Sequence, residues 1–505
     1  MGKFGGIILI LILLMWCCNT RKTVVEFNLI GSSGIQPELV VNGEEREIEV
    51  DDSGYAKLML TEGEHGYATL KYGKDRLPLF IEDGTTLRIY IYGDHAKGNI
   101  RFEGDGSPKN SYLNSQVMKN LSFDYELNAP EFLDQLKDLI QEQFHYLDTM
   151  GFDVAFTEME RNRIKFSTYK ALENYPLYHA WSTGNTDYQP DTAYLSCIKK
   201  LIKEDEKMLV LKEYQEGMAS LVSLISTYHM KELDAYKQVM AQFDYVIHHL
   251  TNETLVEFLI DHYAYAYLLG VGIDEHIDDV LRVYDFYVKD PALRKRFQEI
   301  YDRCAKIVPG SPAFDFMFTD IAGQAVELED FRGKYLFINV WTTWGVPCRY
   351  ENLAWEKLEK EFEDENIVFV AVSCDNDRAV WEKRVRENPK GEVQLYMGSD
   401  RSFMDFYMIR GIPRFILIAP DGRIINSDMS RPSDPETAKT LRAYLKNSFL
   451  FKPLGYVLIF QNVDDCLAVS RVIGVLAGKQ VVEQIAHFLF VQWGIVIQRC
   501  RLCER

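Results

Sequence analysis

The period of the hydrophobic pattern changes along this 505-residue chain, and that change limits the folds open to it. From Val24 to about Gly106 the period is two: Ala56, Leu58 and Leu60 alternate with polar residues, as do Leu87, Ile89 and Ile91. Turn pairs at Asn42-Gly43, Ser53-Gly54, Tyr72-Gly73 and Asp83-Gly84 separate the runs, which predicts a small antiparallel β domain over 24–108. Gly104-Asp105-Gly106 lacks the third glycine of a dinucleotide loop and reads as the exit turn. Over 109–308 the period becomes 3.6, and the spacing predicts an all-α helical domain. Leu133, Leu136, Ile140, Phe144 and Leu147 form one stripe, and Tyr236, Met240, Phe243 and Ile247 another. Asp290 and Pro291 supply an N-cap and a first helical residue. Leu293, Phe297, Ile300 and Cys304 then share a face, which makes Cys304 a core thiol; Cys197, one turn before Leu201, gets the same reading. Over 309–449 strands and helices alternate. Residues 336–340 and 367–372 are largely apolar runs, expected of strands buried on both faces of an α/β sheet. A helix is expected from near Cys348 to about Phe362, with Leu353, Leu358 and Phe362 turned inward. The fold class is therefore multidomain α+β.

The ends differ from these three segments. Residues 1–18 carry Lys3 and an unbroken apolar run from Ile7 to Trp16, closed by Cys17 and Cys18. A membrane span needs about 20 apolar residues, so this run reads as a signal-peptide core. Ending in cysteine, it resembles the lipobox of bacterial lipoproteins, with Cys18 the lipidated residue and Cys17 the other candidate. That implies an exported, membrane-anchored chain facing the periplasm or cell surface, with its thiols in an oxidising compartment. Residues 450–505 form an unassigned tail; its lone Cys500-Arg-Leu-Cys503 has no second pair and is weak support for a metal. With 56 Lys+Arg against 75 Asp+Glu, the net charge of −19 opposes a phosphate backbone, so no nucleic-acid partner is expected. His248-His249 and His262 lack a ligand spacing such as HExxH, so no metal is expected, and no cofactor is implied.

The informative stretch is Trp341-Thr-Thr-Trp344-Gly345-Val346-Pro347-Cys348-Arg349-Tyr350-Glu351. It resembles the W-x-x-W-C-x-P-C-R-x-E-x-P motif of TlpA- and ResA-type proteins, extracytoplasmic thiol–disulfide oxidoreductases. Gly411-Ile412-Pro413 resembles that family's cis-proline loop, and residues 416–422 its next strand and hairpin. The resemblance covers 309–449 and implies a thioredoxin-like α/β domain there. The preceding segments resemble, with weaker motifs, the N-terminal region of lipoprotein members of the family.

In a dithiol oxidoreductase the first cysteine of CxxC attacks the target disulfide from a helix N-terminus, and the second resolves the mixed disulfide. Here Gly345 stands at the attacking position and leaves Cys348 as the only candidate reactive sulfur. Cys348 aligns better than Gly345 with the peroxidatic cysteine of peroxiredoxins, a related fold, but that family's P-x-x-x-T-x-x-C motif is not met, since Trp341 and Gly345 stand where its proline and threonine should be. Cys374, at a strand end, is expected to lie beyond the Cα separation of about 4.4–6.8 Å that a disulfide needs and to be a structural thiol. Leu353 replaces the usual helix proline, and Asn339 stands where cytoplasmic thioredoxins hold a buried acid. Glu351 resembles the family glutamate that could act on the thiol proton, or is an exposed first-turn carboxylate. Trp344, Gly345, Pro347 and Pro413 would line a groove for an extended peptide. The implied role is action on extracytoplasmic protein thiols and disulfides, with dithiol exchange lost or reduced. Two other readings stay open: a non-catalytic peptide-binding module, and a monothiol redox protein using Cys348.

Overall fold

The computed structural model describes residues 22–41, 43–61, 63–115, 122–230, 234–387 and 393–450. Cys17, Cys18 and the tail cysteines Cys500 and Cys503 lie outside the described residues. The chain divides into two compact units, Met1–Pro312 and Ala313–Arg505.

The first unit opens with β1 (Thr23–Ile30), β2 (Pro37–Val41), β3 (Glu44–Glu47), β4 (Tyr55–Leu60), β5 (Gly66–Tyr72), β6 (Asp75–Ile81), β7 (Thr86–Tyr92) and β8 (Ile100–Gly104). They form two four-stranded sheets among the described residues, ordered β4-β1-β7-β8 and β3-β2-β5-β6. The alternating residues meet in one core, with Phe27, Ile89 and Ile91 of the first sheet against Leu39, Leu70 and Leu79 of the second. One expectation is corrected: the domain is not wholly antiparallel, because β1 and β7 pair in parallel, Val25 opposite Leu87 and Phe27 opposite Ile89. A period of two fixes which residues face the core, and only a tight turn fixes strand direction. No hairpin joins β1 to β7, so the turn signals carried no information about their pairing.

The helices that follow are α1 (Ser107–Leu113), α2 (Ala129–Thr149), α3 (Val154–Ser167), α4 (Tyr169–Thr183), α5 (Thr192–Leu201), α6 (Lys212–Thr227), α7 (Ala235–His249), α8 (Glu253–Gly270), α9 (Ile277–Tyr287) and α10 (Pro291–Ala305). Their starts are written in the sequence: Asn128, Asp153, Asp191, Asp234, Asn252 and Asp290 each accept a backbone N–H in the first turn. Cys304 is buried as expected, its thiol 3.6 Å from the Leu268 carbonyl. Cys197 is exposed, a correction, because α5 turns Tyr194, Leu195 and Ile198 inward instead. The inward stripe of α7 is Val239, Phe243 and Val246, rotated from the expected one so that of its residues only Phe243 is fully buried. Sheets and helices meet around Phe80, Phe156 and a buried ion pair, in which Arg163 holds Glu160 at 2.7 and 2.8 Å while the Tyr67 hydroxyl donates to Glu160 at 2.5 Å.

The second unit holds β9 (Met317–Asp320), β10 (Ala325–Glu327), β11 (Tyr335–Trp341), α11 (Val346–Glu361), β12 (Ile367–Ser373), α12 (Arg378–Glu387), β13 (Val393–Tyr396), α13 (Ser402–Phe406), β14 (Arg414–Ile418), β15 (Ile424–Met429) and α14 (Pro435–Leu450). Its sheet has the order β10-β9-β13-β12-β11-β14-β15, with β13, β12 and β11 parallel and β14 antiparallel to β11. Every residue of β11 is buried, as its largely apolar run, broken only by Asn339, leads one to expect. Trp355 and Leu358 of α11, Phe362 just after it, and Leu441 and Leu445 of α14 share a core with Phe337 and Phe369 of the sheet. Leu353 is 70% exposed, contrary to expectation. The inward residues of α11 run 348, 351, 355 and 358, and position 353 falls on the opposite side of that stripe.

Candidate functional site

The central strand β11 ends at Trp341 and the chain turns through residues 342–345 into α11. In the parallel pair β11–β12, Trp341 stands opposite Ser373, so the two strand ends meet beside this turn. Asp375, 3% exposed and just past β12, fastens it. Its carboxylate accepts the Thr343 N–H at 3.0 Å, the Thr343 hydroxyl at 2.9 Å and the Ser373 hydroxyl at 2.8 Å. Gly345 is the N-cap residue, with no side chain to bond the free N–H groups of the first turn, and the Arg349 N–H donates to its carbonyl at 3.2 Å. Pro347 sits in that first turn, where its missing N–H costs nothing.

Cys348 follows at the third helical position and is 3% exposed, so the absent side chain at 345 leaves no open path to it. Burial pushes its thiol above the ordinary cysteine range. Hydrogen bonding at the backbone of Thr342 and Cys348, and the charge of Arg431, pull the other way, while Asp375 adds to the rise. The net rise leaves a protonated, weakly nucleophilic sulfur at neutral pH. Cys374 is also buried and pushed up to about 11, chiefly by burial, and both cysteines are free thiols. A charge on Cys348 raises Cys374 further, so the two are in electrostatic reach of each other.

A Cβ built on Gly345 would lie 2.8 Å from Cys348 Sγ, 3.0 Å from Thr342 Oγ1 and 3.4 Å from Cys348 Cβ. These nearest atoms belong to side chains, and the glycine backbone is extended at φ −65°. Neither backbone conformation nor a backbone clash requires glycine here.

The other residues singled out in the sequence divide into two groups. Trp341 joins Cys348, Ala371, Trp381 and Tyr396 in a buried cluster against which Ile412 packs, and the Ile412–Pro413 peptide is cis. Trp344 is 70% exposed, with Val346 and Tyr350 beside it at 48% and 79%. Glu351 is neither an exposed carboxylate nor free. It is 6% exposed and accepts the Ser433 N–H at 3.1 Å and the Ser433 hydroxyl at 2.9 Å, with Arg431 at 3.8 Å. Asn339 is buried and its Oδ1 has no partner among the described residues. Sequence reasoning missed Thr342, Asp375, Arg431 and Ser433. Asp375, directly after a strand end, carried the strongest available signal. The described residues hold no cluster of His, Cys, Asp and Glu able to bind a metal.

A family model described as the AhpC/TSA family matches residues 309–427. The thiol-disulfide oxidoreductase ResA of Bacillus cereus is 27% identical over 151 residues, 30% of this chain and 84% of that protein. The second unit is a TlpA/ResA-like thioredoxin-fold domain. The thioredoxin-like protein YneN of Bacillus subtilis is 40% identical to this chain over 131 residues, 26% of the chain and 64% of YneN. Among solved structures, the thioredoxin domain of a thiol-disulfide oxidoreductase from Bacteroides vulgatus is 27% identical, covering 27% of this chain and 98% of that one at a TM-score of 0.26. In this TlpA/ResA-like domain, Gly345 stands where the motif has its first cysteine.

Proposed function

We propose that this chain is an exported, lipid-anchored thioredoxin-fold protein of the cell envelope in which exchange between two protein thiols is lost. The observation that carries this reading is the pair Gly345 and Cys348: no sulfur at the helix N-cap, and a buried thiol three residues on whose burial keeps it protonated. Without a first thiolate, a target disulfide is never captured, and a resolving thiol has nothing to resolve. Insulin reduction by the full chain with dithiothreitol tests it. The wild-type protein is expected to show no more turnover than buffer, and Gly345→Cys to restore activity, since the backbone at 345 is extended and the atoms nearest a new Cβ belong to the side chains of Cys348 and Thr342. Wild-type turnover equal to that of a two-cysteine relative would remove the proposal.

The anchor is a separate expectation, resting on the sequence around Cys17 and Cys18. Cys18→Ser is expected to abolish incorporation of labelled palmitate in cells. Acylation that persists in Cys18→Ser and disappears in Cys17→Ser would assign the lipid to Cys17.

A second reading is favoured by one feature, the exposed apolar residues Trp344, Val346 and Tyr350 around the turn into α11, whose Cys348 lies in the cluster that Ile412 packs against. These would suit an extended peptide held without chemistry.

A further inference from the structure

Between α4, α6, α7 and α8 of the first unit lies an open cleft of about 670 Å³, lined by polar groups that bond to nothing else in the fold. We propose that this cleft binds a small, uncharged, polyhydroxylated molecule of the mono- or disaccharide class. The inference stands apart from the reading at Gly345, since every residue it uses belongs to the helical segment.

The space follows from the residues chosen for one helix face. α6 turns Glu216, Ala219, Ser220 and Ser223 to the cleft, the i, i+3, i+4, i+7 row by which a helix meets its neighbours. Closing such an interface takes large apolar side chains, and three of these four are small. The other walls continue the pattern with Ala235 of α7 and Ala266 of α8. A Cβ added to Gly270, at the end of α8, would meet nothing within 4 Å beyond its own stretch of helix. The resulting volume lies in the range of clefts that hold small organic ligands.

The chemistry of the lining selects the ligand. The charges at the cleft already have partners: Lys170 Nζ stands 2.5 Å from the Glu173 carboxylate, and Glu216 stands 3.2 Å from Lys212. The groups left over are neutral. Ser220 is 6% exposed, and its hydroxyl makes no hydrogen bond among the described residues. The Gln238 amide makes none either, while Gln242 uses one N–H, donated to the Ser223 hydroxyl at 3.1 Å, and its carbonyl accepts nothing. His262 has no hydrogen-bond partner among the described residues. Burial, helped by the charge of Arg296, holds it below the ordinary histidine range against the pull of Glu216 and Glu173. At neutral pH it is therefore an uncharged imidazole, with one nitrogen to donate and one to accept. A charged ligand would find no unpaired countercharge here. Each hydroxyl of a sugar both donates and accepts, which suits a hydroxyl, two amides and an imidazole together. Tyr263 and Tyr267 have committed their own hydroxyls, to the Ala219 carbonyl at 2.6 Å and to Asp274 at 2.7 Å, so what they add to the wall is apolar surface for the C–H faces of a ring.

Saturation-transfer NMR on the full chain tests this with glucose, galactose, N-acetylglucosamine, maltose and cellobiose, and with spermidine and citrate as charged probes. Saturable binding of at least one of the sugars is expected, and none of the charged probes. Ala266→Phe, which fills the cleft from an exposed position, is expected to weaken that binding tenfold or more. Ser220→Ala is expected to weaken it about fivefold, the scale of one hydrogen bond. The same substitution should leave the melting temperature no lower than wild type, because the hydroxyl it removes has no partner to lose. Circular dichroism shows that each variant is folded. The proposal is overturned if no sugar of the set binds saturably, if only spermidine or citrate binds, or if either folded variant binds as tightly as the wild-type protein.

Discussion

Gly345 adopts a backbone that any L-residue can hold, and a Cβ there would stand 2.8 Å from Cys348 Sγ, so what the glycine gives up is chemistry and what it spares is a side-chain contact, not backbone strain. With no thiolate at the N-cap, reactivity falls to Cys348, where burial outweighs hydrogen bonding at two backbone groups and the attraction of Arg431. A raised thiol pKa means that the reactive anion is scarce at neutral pH and grows as pH climbs. Iodoacetamide labelling followed from about pH 6 to about pH 10 is therefore expected to modify exposed Cys197 first, and Cys348 only toward the alkaline end. Labelling of Cys348 at neutral pH as fast as Cys197 would show that its surroundings stabilise the thiolate after all. Glu351 illustrates a limit of motif reading. Its place in the motif matched the family, but the loop carrying Arg431 and Ser433 decides that this carboxylate is buried and hydrogen-bonded.

At the scale of elements, α11 carries both the site and the core contact that holds it. Its inward row places Cys348 over the end of the sheet and Trp355 against Phe337, with ring centroids 5.2 Å apart, and against Phe369 at 5.0 Å. Truncating so large a buried ring removes both transfer energy and packing, so Trp355→Ala should lower stability by about 3–5 kcal/mol in a denaturant titration. Leu353→Ala, on the exposed side of the same helix, is expected to stay within about 0.5 kcal/mol of wild type. Equal losses would mean that the inward row has been assigned to the wrong face. The sequence placed this helix to within about two residues and yet chose Leu353 as an inward residue. Both outcomes follow from one cause: a helix pattern marks an apolar stripe, while its neighbours choose which residues of that stripe they cover.

Across the whole molecule, the two units are built by different means. The first joins sheets and helices through a polar contact, in which Glu160 is fully buried and Arg163 is its bidentate partner, with Glu213 3.1 Å from the same guanidinium. Removing one member of such a pair leaves an uncompensated buried charge, a change that costs about 3–5 kcal/mol. Arg163→Met is expected to lower the first thermal transition accordingly and leave insulin turnover of a Gly345→Cys background intact. An unmoved transition would show that the pair is not what joins sheets to helices. The second unit relies on the apolar core around Trp355 and on Asp375, which ties the turn before α11 to the end of β12.

The sequence by itself determined the order of the architecture, from β-rich to helical to alternating α/β, the caps of the helices, and the absence of sulfur at 345. Each of these is local: a period, a capping side chain or a residue identity is complete within a few neighbours along the chain. Only the tertiary structure decided that β1 and β7 run parallel, that Cys197 faces solvent, that Glu351 is spoken for by Ser433, and that Thr342 and Cys348 converge on the space beside Gly345. Those are pairings between segments far apart in sequence, fixed by which surfaces meet when the core closes, and no short window of residues encodes them.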